Sequence, residues 1–158
     1  MLHTVSSMKS FASNRIRIAI LCLALVLKKS HYFVSGLTLT PATTPEEIIQ
    51  SQLTALQEDD MTGVFDFASP ANRERVGGDV NRFGEMVRSG PYKYLISHTK
   101  ADILLYSQMG QSKQYLVRVI PSGLSGRSSI HEYWWSLSRV RTGPTAGCYM
   151  VDAVIPNA

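Results

Sequence analysis

The sequence predicts an α+β domain with helices first and an antiparallel sheet after them. Three observations carry this. Between residues 44 and 90 apolar side chains recur at helical spacing, punctuated by capping and breaking residues. From Tyr92 onward the period shifts toward two, in runs rich in Ile, Val, Tyr and Trp. The connections between those runs are too short to hold crossover helices, so the strands must pair antiparallel, with the helices on one face.

The first helix starts at Thr44-Pro45-Glu46-Glu47. Thr44 can cap, Pro45 suits the first helical position, and Glu47 completes a capping box three residues on. Ile49, Leu53 and Leu56 then share one face, with Ile48 and Ala55 beside them, while Gln50, Ser51, Thr54 and Gln57 lie opposite. Asp59 and Asp60 can cap a second helix carrying Met61, Val64, Phe65 and Ala68. Ser69-Pro70 breaks it and starts another turn, which Gly77-Gly78 ends. Asp79 caps a further helix with Val80, Phe83, Met86 and Val87 inward. Gly90-Pro91 stops it, because Gly permits a left-handed end and Pro cannot continue the ladder.

Five strands follow: Tyr92 to Ile96, Asp102 to Gln108, Gln114 to Ile120, Ile130 to Val140 and Tyr149 to Ile155. Gly110, Pro121 to Gly126 and Thr142-Gly143-Pro144 supply turn signals. Alternation is clear in the third, which sets Tyr115, Val117 and Val119 against Gln114, Leu116 and Arg118.

At 158 residues the chain is expected to hold one domain. A hydrophobic content of 44% with 18% charged residues can build a core. The formal charge of +4 is misleading as a sign of nucleic acid. Five of the 16 basic residues (Lys9, Arg15, Arg17, Lys28, Lys29) fall in residues 1–45, which have no acid; the remaining 11 face all 12 acids in 46–158, a net of −1. Such a body has no electrostatic footprint for DNA or RNA.

Residues 1–44 read as a targeting presequence, leaving 45–158 as the domain. The segment is basic, rich in Ser and Thr, and holds one apolar run, Ile18 to Leu27. That run is far short of the roughly 20 residues of a membrane-spanning helix. Arg, Ser and the lack of acids fit a plastid or mitochondrial transit peptide; Arg15 and Arg17 before the apolar run fit a secretory signal, although Lys28-Lys29 directly after it does not. Retention as a tail or weak anchor is the third reading. Val34 and Gly36 satisfy a small-residue cleavage pattern before Leu37, and cleavage is expected between about residues 34 and 44. Removal takes Cys22 with it and leaves Cys148 alone, so the mature chain can form no internal disulfide.

The run from Ile48 through Tyr94 resembles the uncharacterised domain-of-unknown-function family 4864. The matching residues are Gln52 to Leu56, Asp59-Asp60, Val64-Phe65-Asp66-Phe67-Ala68-Ser69-Pro70, Phe83 to Val87 and Tyr92. In helix–strand order the family is similar to nuclear transport factor two-like domains. That likeness implies a cone, with helices against a strongly curved antiparallel sheet and often a pocket between them. Such cones host isomerases, dehydratases and domains that only bind or dimerise, so the fold does not assign an activity.

Candidate chemistry has a competing structural explanation at each position. Asp59, Asp60 and Asp79 are explained by capping. Asp66 fits a solvent-facing helix position. Asp102 and Glu132 on strands are general bases only if buried. His98 and Asp102, four apart at a strand start, and the adjacent His131 and Glu132 are poorly placed for a metal, so no metal site is expected. Ser97-His98-Thr99-Lys100 matches Ser-x-x-Lys without its companion motifs. Cys148 reads as a small buried hydrophobe. Gly77-Gly78 lacks the spacing of a nucleotide-binding loop, and no cofactor is expected.

The distinctive content is aromatic. A pocket lined by Phe65, Tyr92, Tyr115, Tyr133 and Trp135, with Arg118 or Glu132 as its polar group, is the sharpest expectation. Trp134 and Trp135 must face opposite sides of a strand; Tyr133 and Leu137 place Trp135 inward. Three function classes remain: a non-catalytic domain that binds a small apolar or aromatic ligand, a homodimerising module with a filled cone, and an isomerase- or dehydratase-type enzyme with a pocket carboxylate.

Overall fold

A computed structural model describes residues 37–123 and 130–157. Among them are α1 (Pro45–Gln57), α2 (Met61–Asp66), α3 (Pro70–Arg75), α4 (Val80–Val87), a 3-10 helix (Gly90–Leu95), β1 (Lys100–Met109), β2 (Ser112–Ile120), β3 (His131–Arg139) and β4 (Tyr149–Pro156). The expected presequence up to residue 36, with its apolar run and Cys22, lies outside the described residues, as do residues 124–126 of the expected turn. None of the described helices is long and apolar enough to cross a membrane.

The helix starts follow from local chemistry. The Thr44 backbone N–H donates to Glu47 Oε2 at 2.8 Å while the Glu47 N–H donates back to Thr44 Oγ1 at 3.3 Å. This capping box satisfies donors that the first turn of α1 leaves unpaired. Asp60, Ser69 and Asp79 cap α2, α3 and α4 through their side chains. Asp59 instead takes a left-handed backbone, φ 57°, and pairs with Arg88 at 3.0 Å. Gly63 lets α2 lie close on α1: a Cβ there would stand 3.3 Å from the Ala55 Cβ and 2.5 Å from the capping Asp60 Oδ2.

The sheet is antiparallel throughout, in the order β1-β2-β3-β4. Its register shifts between Ile103 and Leu105 and again between Ser136 and Leu137, irregularities of the kind that bend and twist a strand. The helices precede the sheet and pack on one of its faces, an α+β arrangement consistent with a cone.

The first expected strand is a correction. Residues 90–95 form a 3-10 helix, so the described sheet has four strands. Pro91 supplies a helix-compatible start, and a three-residue turn brings Tyr92 and Leu95 to the same side, toward the core. The alternation of Tyr92, Tyr94 and Ile96 imitates a strand without being one.

The core joins Ile48, Ile49, Leu53 and Leu56 of α1 to Tyr115, Val117 and Val119 of β2 and to Tyr133, Trp135 and Leu137 of β3. Leu37 and Leu39 pack against it, half-buried. The Arg139 Nη1 donates to the Pro41 carbonyl at 3.1 Å, so the segment ahead of α1 is tied to β3.

Candidate functional site

The free edge of β4 is covered by the short segment joining α2 to α3, which makes a single parallel bridge between Ala68 and Val151, and by side chains of the helical residues beside it. The Ser69 N–H donates to the Val151 carbonyl at 2.9 Å, and the Val151 N–H donates to the Phe67 carbonyl at 2.9 Å. Asn72 Nδ2 reaches the same Val151 carbonyl at 3.1 Å, and Arg75 Nη1 reaches the Asp152 carbonyl at 3.1 Å. Toward the end of the strand, the Tyr92 hydroxyl donates to the Val154 carbonyl at 3.3 Å. These bonds protect an edge that could otherwise pair with another chain.

Between this covered edge and the helices lies a cavity of about 270 Å³. Leu56, Val64, Phe83, Val87, Leu95 and Trp135 form its apolar walls, and β4 contributes Val151 and Val154. Met86 lines it and is itself 39% exposed, which puts it at the opening. An engineered apolar cavity of about 150 Å³ holds benzene, so a ring or a short chain fits here.

Four polar side chains reach the lining: Gln52, Asn72, Arg75 and Tyr92. Gln52 is buried and bonded at both ends of its amide. Its Oε1 accepts from Trp135 Nε1 at 2.9 Å, and its Nε2 donates to the Val64 carbonyl at 2.9 Å. Among the described residues that line the cavity there is no Asp, Glu, His, Lys or Cys; Arg75 is the one charged group.

Of the six residues expected to line a pocket, Tyr92 and Trp135 line this cavity, and Tyr133 borders, with Glu132, a separate depression of about 210 Å³. Two others stand behind the wall. Tyr133 lies 6.5 Å from the Tyr92 ring and edge-on to Trp135 at 6.1 Å, and its hydroxyl donates to the Pro91 carbonyl at 2.6 Å. Burial pushes that phenol up to about 12. Phe65 packs 5.3 Å from Phe83, and the Arg73 guanidinium stands over its ring at 5.2 Å.

Tyr115 and Arg118 are elsewhere. The Tyr115 hydroxyl donates to Glu46 Oε1 at 2.7 Å in the first turn of α1, and burial raises its pKa, with the carboxylate adding to the rise. Arg118 sits on the sheet face away from the helices, because it alternates with the inward Val117 and Val119. There it pairs with Glu132 at 2.8 Å. The hydrogen bond from Arg118 holds the Glu132 carboxyl below its ordinary range, and a second bond from Asn157 acts the same way. The cavity's polar groups are therefore Gln52, Asn72, Arg75 and Tyr92, in place of Arg118 or Glu132. Gln52 was findable: it sits three after Ile49 and four before Leu56, a polar residue on the apolar face of α1.

The remaining titratable candidates lie off the cavity. Asp66 is exposed, and Asp102 pairs with Lys100 on its own strand. His98 is buried at 4% exposure with Nδ1 against the Leu95 carbonyl at 2.8 Å, and burial lowers its pKa. It borders a separate polar depression with Gln57, Thr99 and Lys100. His131 stacks on Tyr94, centroids 3.9 Å apart. Cys148 is a buried free thiol. Among the described residues no group of three His, Cys, Asp or Glu side chains comes together as a metal site.

The sequence pattern of one family, described as a domain of unknown function (DUF4864), matches residues 39–153. No curated protein and no solved structure matches the chain.

Proposed function

The chain belongs to the DUF4864 family, a domain of unknown function, and we propose that it binds a small apolar or aromatic molecule, without catalysis, in the cavity between the helices and β4. The observation that carries this is the lining itself: about 270 Å³ walled by aliphatic and aromatic side chains, with a few fixed polar groups. Small-molecule sites have this composition. A general base or acid needs a titratable group within reach of substrate, and the lining supplies Gln52, Asn72, Tyr92 and Arg75 instead of a carboxylate or imidazole. That favours binding over the isomerase- or dehydratase-type reading. The likeness to nuclear transport factor two-like cones belongs to the same proposal, supported by helices that precede and cover one sheet face.

The test uses a solvatochromic apolar dye and a variant that plugs the opening. Val76 lines the cavity, half-buried, at the end of α3. The wild-type protein should enhance dye emission, and Val76→Phe should lose that enhancement with an unchanged melting temperature. Equal enhancement by both proteins contradicts the proposal.

Homodimerisation is the second reading, and one observation favours it. The pairing Leu105–Leu116–Trp134–Ile155 runs an apolar row across all four strands on the face away from the helices. Leu105 and Ile155 are 57% and 55% exposed. Delivery to a plastid completes the proposal, with the secretory pathway as the alternative; its support is the basic, acid-free composition of residues 1–44.

A further inference from the structure

Resting on the binding reading, we infer that the ligand carries a carboxylate at one end, which the Arg75 guanidinium receives at the mouth of the cavity. Arg75 lines the cavity from the last residue of α3 and is exposed, so its charge stands where the apolar space opens to water. One edge of the fork is already fixed, since Nη1 donates to the Asp152 carbonyl at 3.1 Å. Among the described residues Nε and Nη2 make no hydrogen bond, and no carboxylate lies within ion-pair distance of the group. A guanidinium anchored through one nitrogen, with the donor nitrogens Nε and Nη2 remaining, presents the planar geometry that a carboxylate accepts in a bidentate pair.

The neighbouring arginines are differently employed. Arg73 donates to the Ala68 and Asp66 carbonyls at 2.9 and 2.7 Å and covers the Phe65 ring. Arg88 is paired with Asp59. The lining offers no negative charge to repel an anion. An apolar body in the cavity with a carboxylate at its mouth satisfies both the walls and the cation, whereas a neutral apolar molecule leaves the cation unused and an ammonium is repelled by it. The class is a medium-chain fatty acid or an aryl-substituted carboxylic acid.

Octanoate and octanol, matched in chain length, are titrated in competition with the dye. The wild type should prefer octanoate by roughly tenfold, the range of a partly exposed charge-assisted pair. Arg75→Gln should erase the preference. Arg82→Gln removes the same charge from α4 at a residue that does not line the cavity, and should keep the preference. Equal binding of octanoate and octanol by the wild type, or a preference that survives Arg75→Gln, overturns the carboxylate assignment while the cavity reading stands. If neither compound displaces the dye, or the wild type takes up no dye, the cavity reading fails and the assignment with it.

Discussion

The indole Nε1 of Trp135 donates to Gln52 Oε1 at 2.9 Å, a buried bond between residues 83 positions apart. The same amide donates from Nε2 to the Val64 carbonyl at 2.9 Å. An indole only donates and a carbonyl only accepts, so the two partners fix the orientation of the amide. One side chain of α1 therefore holds β3 and α2 together and sets two walls of the cavity. Gln52→Leu would leave both partners unpaired in an apolar surrounding. Each such group costs about 1–3 kcal/mol, so urea denaturation should show a loss of that order or larger. An unchanged midpoint would mean that the bond contributes nothing to the folded state.

The two adjacent tryptophans should behave differently. Trp135 is fully buried, whereas Trp134 is half-buried on the opposite face, as strand alternation predicts. Trp135→Ala should cost about 3–5 kcal/mol, a large share of the roughly 5–15 kcal/mol that keeps a domain folded. Trp134→Ala should fold with a smaller loss. Sedimentation of Trp134→Ala also tests the dimer reading: the wild type should associate and the variant dissociate at higher concentration. A wild type that stays monomeric at millimolar concentration removes that reading.

Acid should weaken the fold partly through His98. Burial holds its folded pKa below the ordinary 6.5. Between the folded and unfolded values the unfolded chain binds more protons, so stability rises with pH in that window. The contribution is fully present above the unfolded value and is lost as pH falls through the folded one. Urea midpoints measured from pH 7.5 down to 5 should decline, and His98→Gln should flatten the upper part of that decline. Parallel curves for the two proteins would show that His98 titrates alike folded and unfolded.

The mature chain should begin at or just before Leu37. Leu37 and Leu39 pack on the core, and the Pro41 carbonyl accepts from Arg139, so a start after residue 44 would strip these contacts. Protein lacking residues 1–44 should be less stable than protein lacking 1–36 by about 1–3 kcal/mol. N-terminal sequencing of native protein checks the site directly, and a start at Met1 contradicts cleavage.

Local chemistry made the helices legible. Thr44, Asp60 and Asp79 each combine a capping side chain with an apolar run, Ser69 stands directly before Pro70, and each of the four caps a helix. The strands with regular alternation were equally readable. Residues 90–95 were not, because Tyr92, Tyr94 and Ile96 present a period of two while the three-residue spacing of Tyr92 and Leu95 decides the packing. The site was harder still. Trp135 and Tyr92 followed from aromatic content, but the aromatic residues do not converge on one place: Tyr115 serves α1, and Tyr133 backs the wall. Asn72 and Arg75 carry no sequence signal, since their role comes from β4 lying beside α3, about 80 residues away in the chain.

The most direct measurement is a 1H–15N spectrum of the folded domain titrated with a small aromatic hydrocarbon such as naphthalene. The chain contains two tryptophans, hence two indole resonances. Trp135 lines the cavity with its Nε1 bound to Gln52, while Trp134 faces the other side of the sheet. Ligand entering the cavity should move the Trp135 indole peak in a saturable manner and leave that of Trp134 in place. A spectrum that does not change, or one in which only the Trp134 peak moves, contradicts a ligand site between the helices and β4.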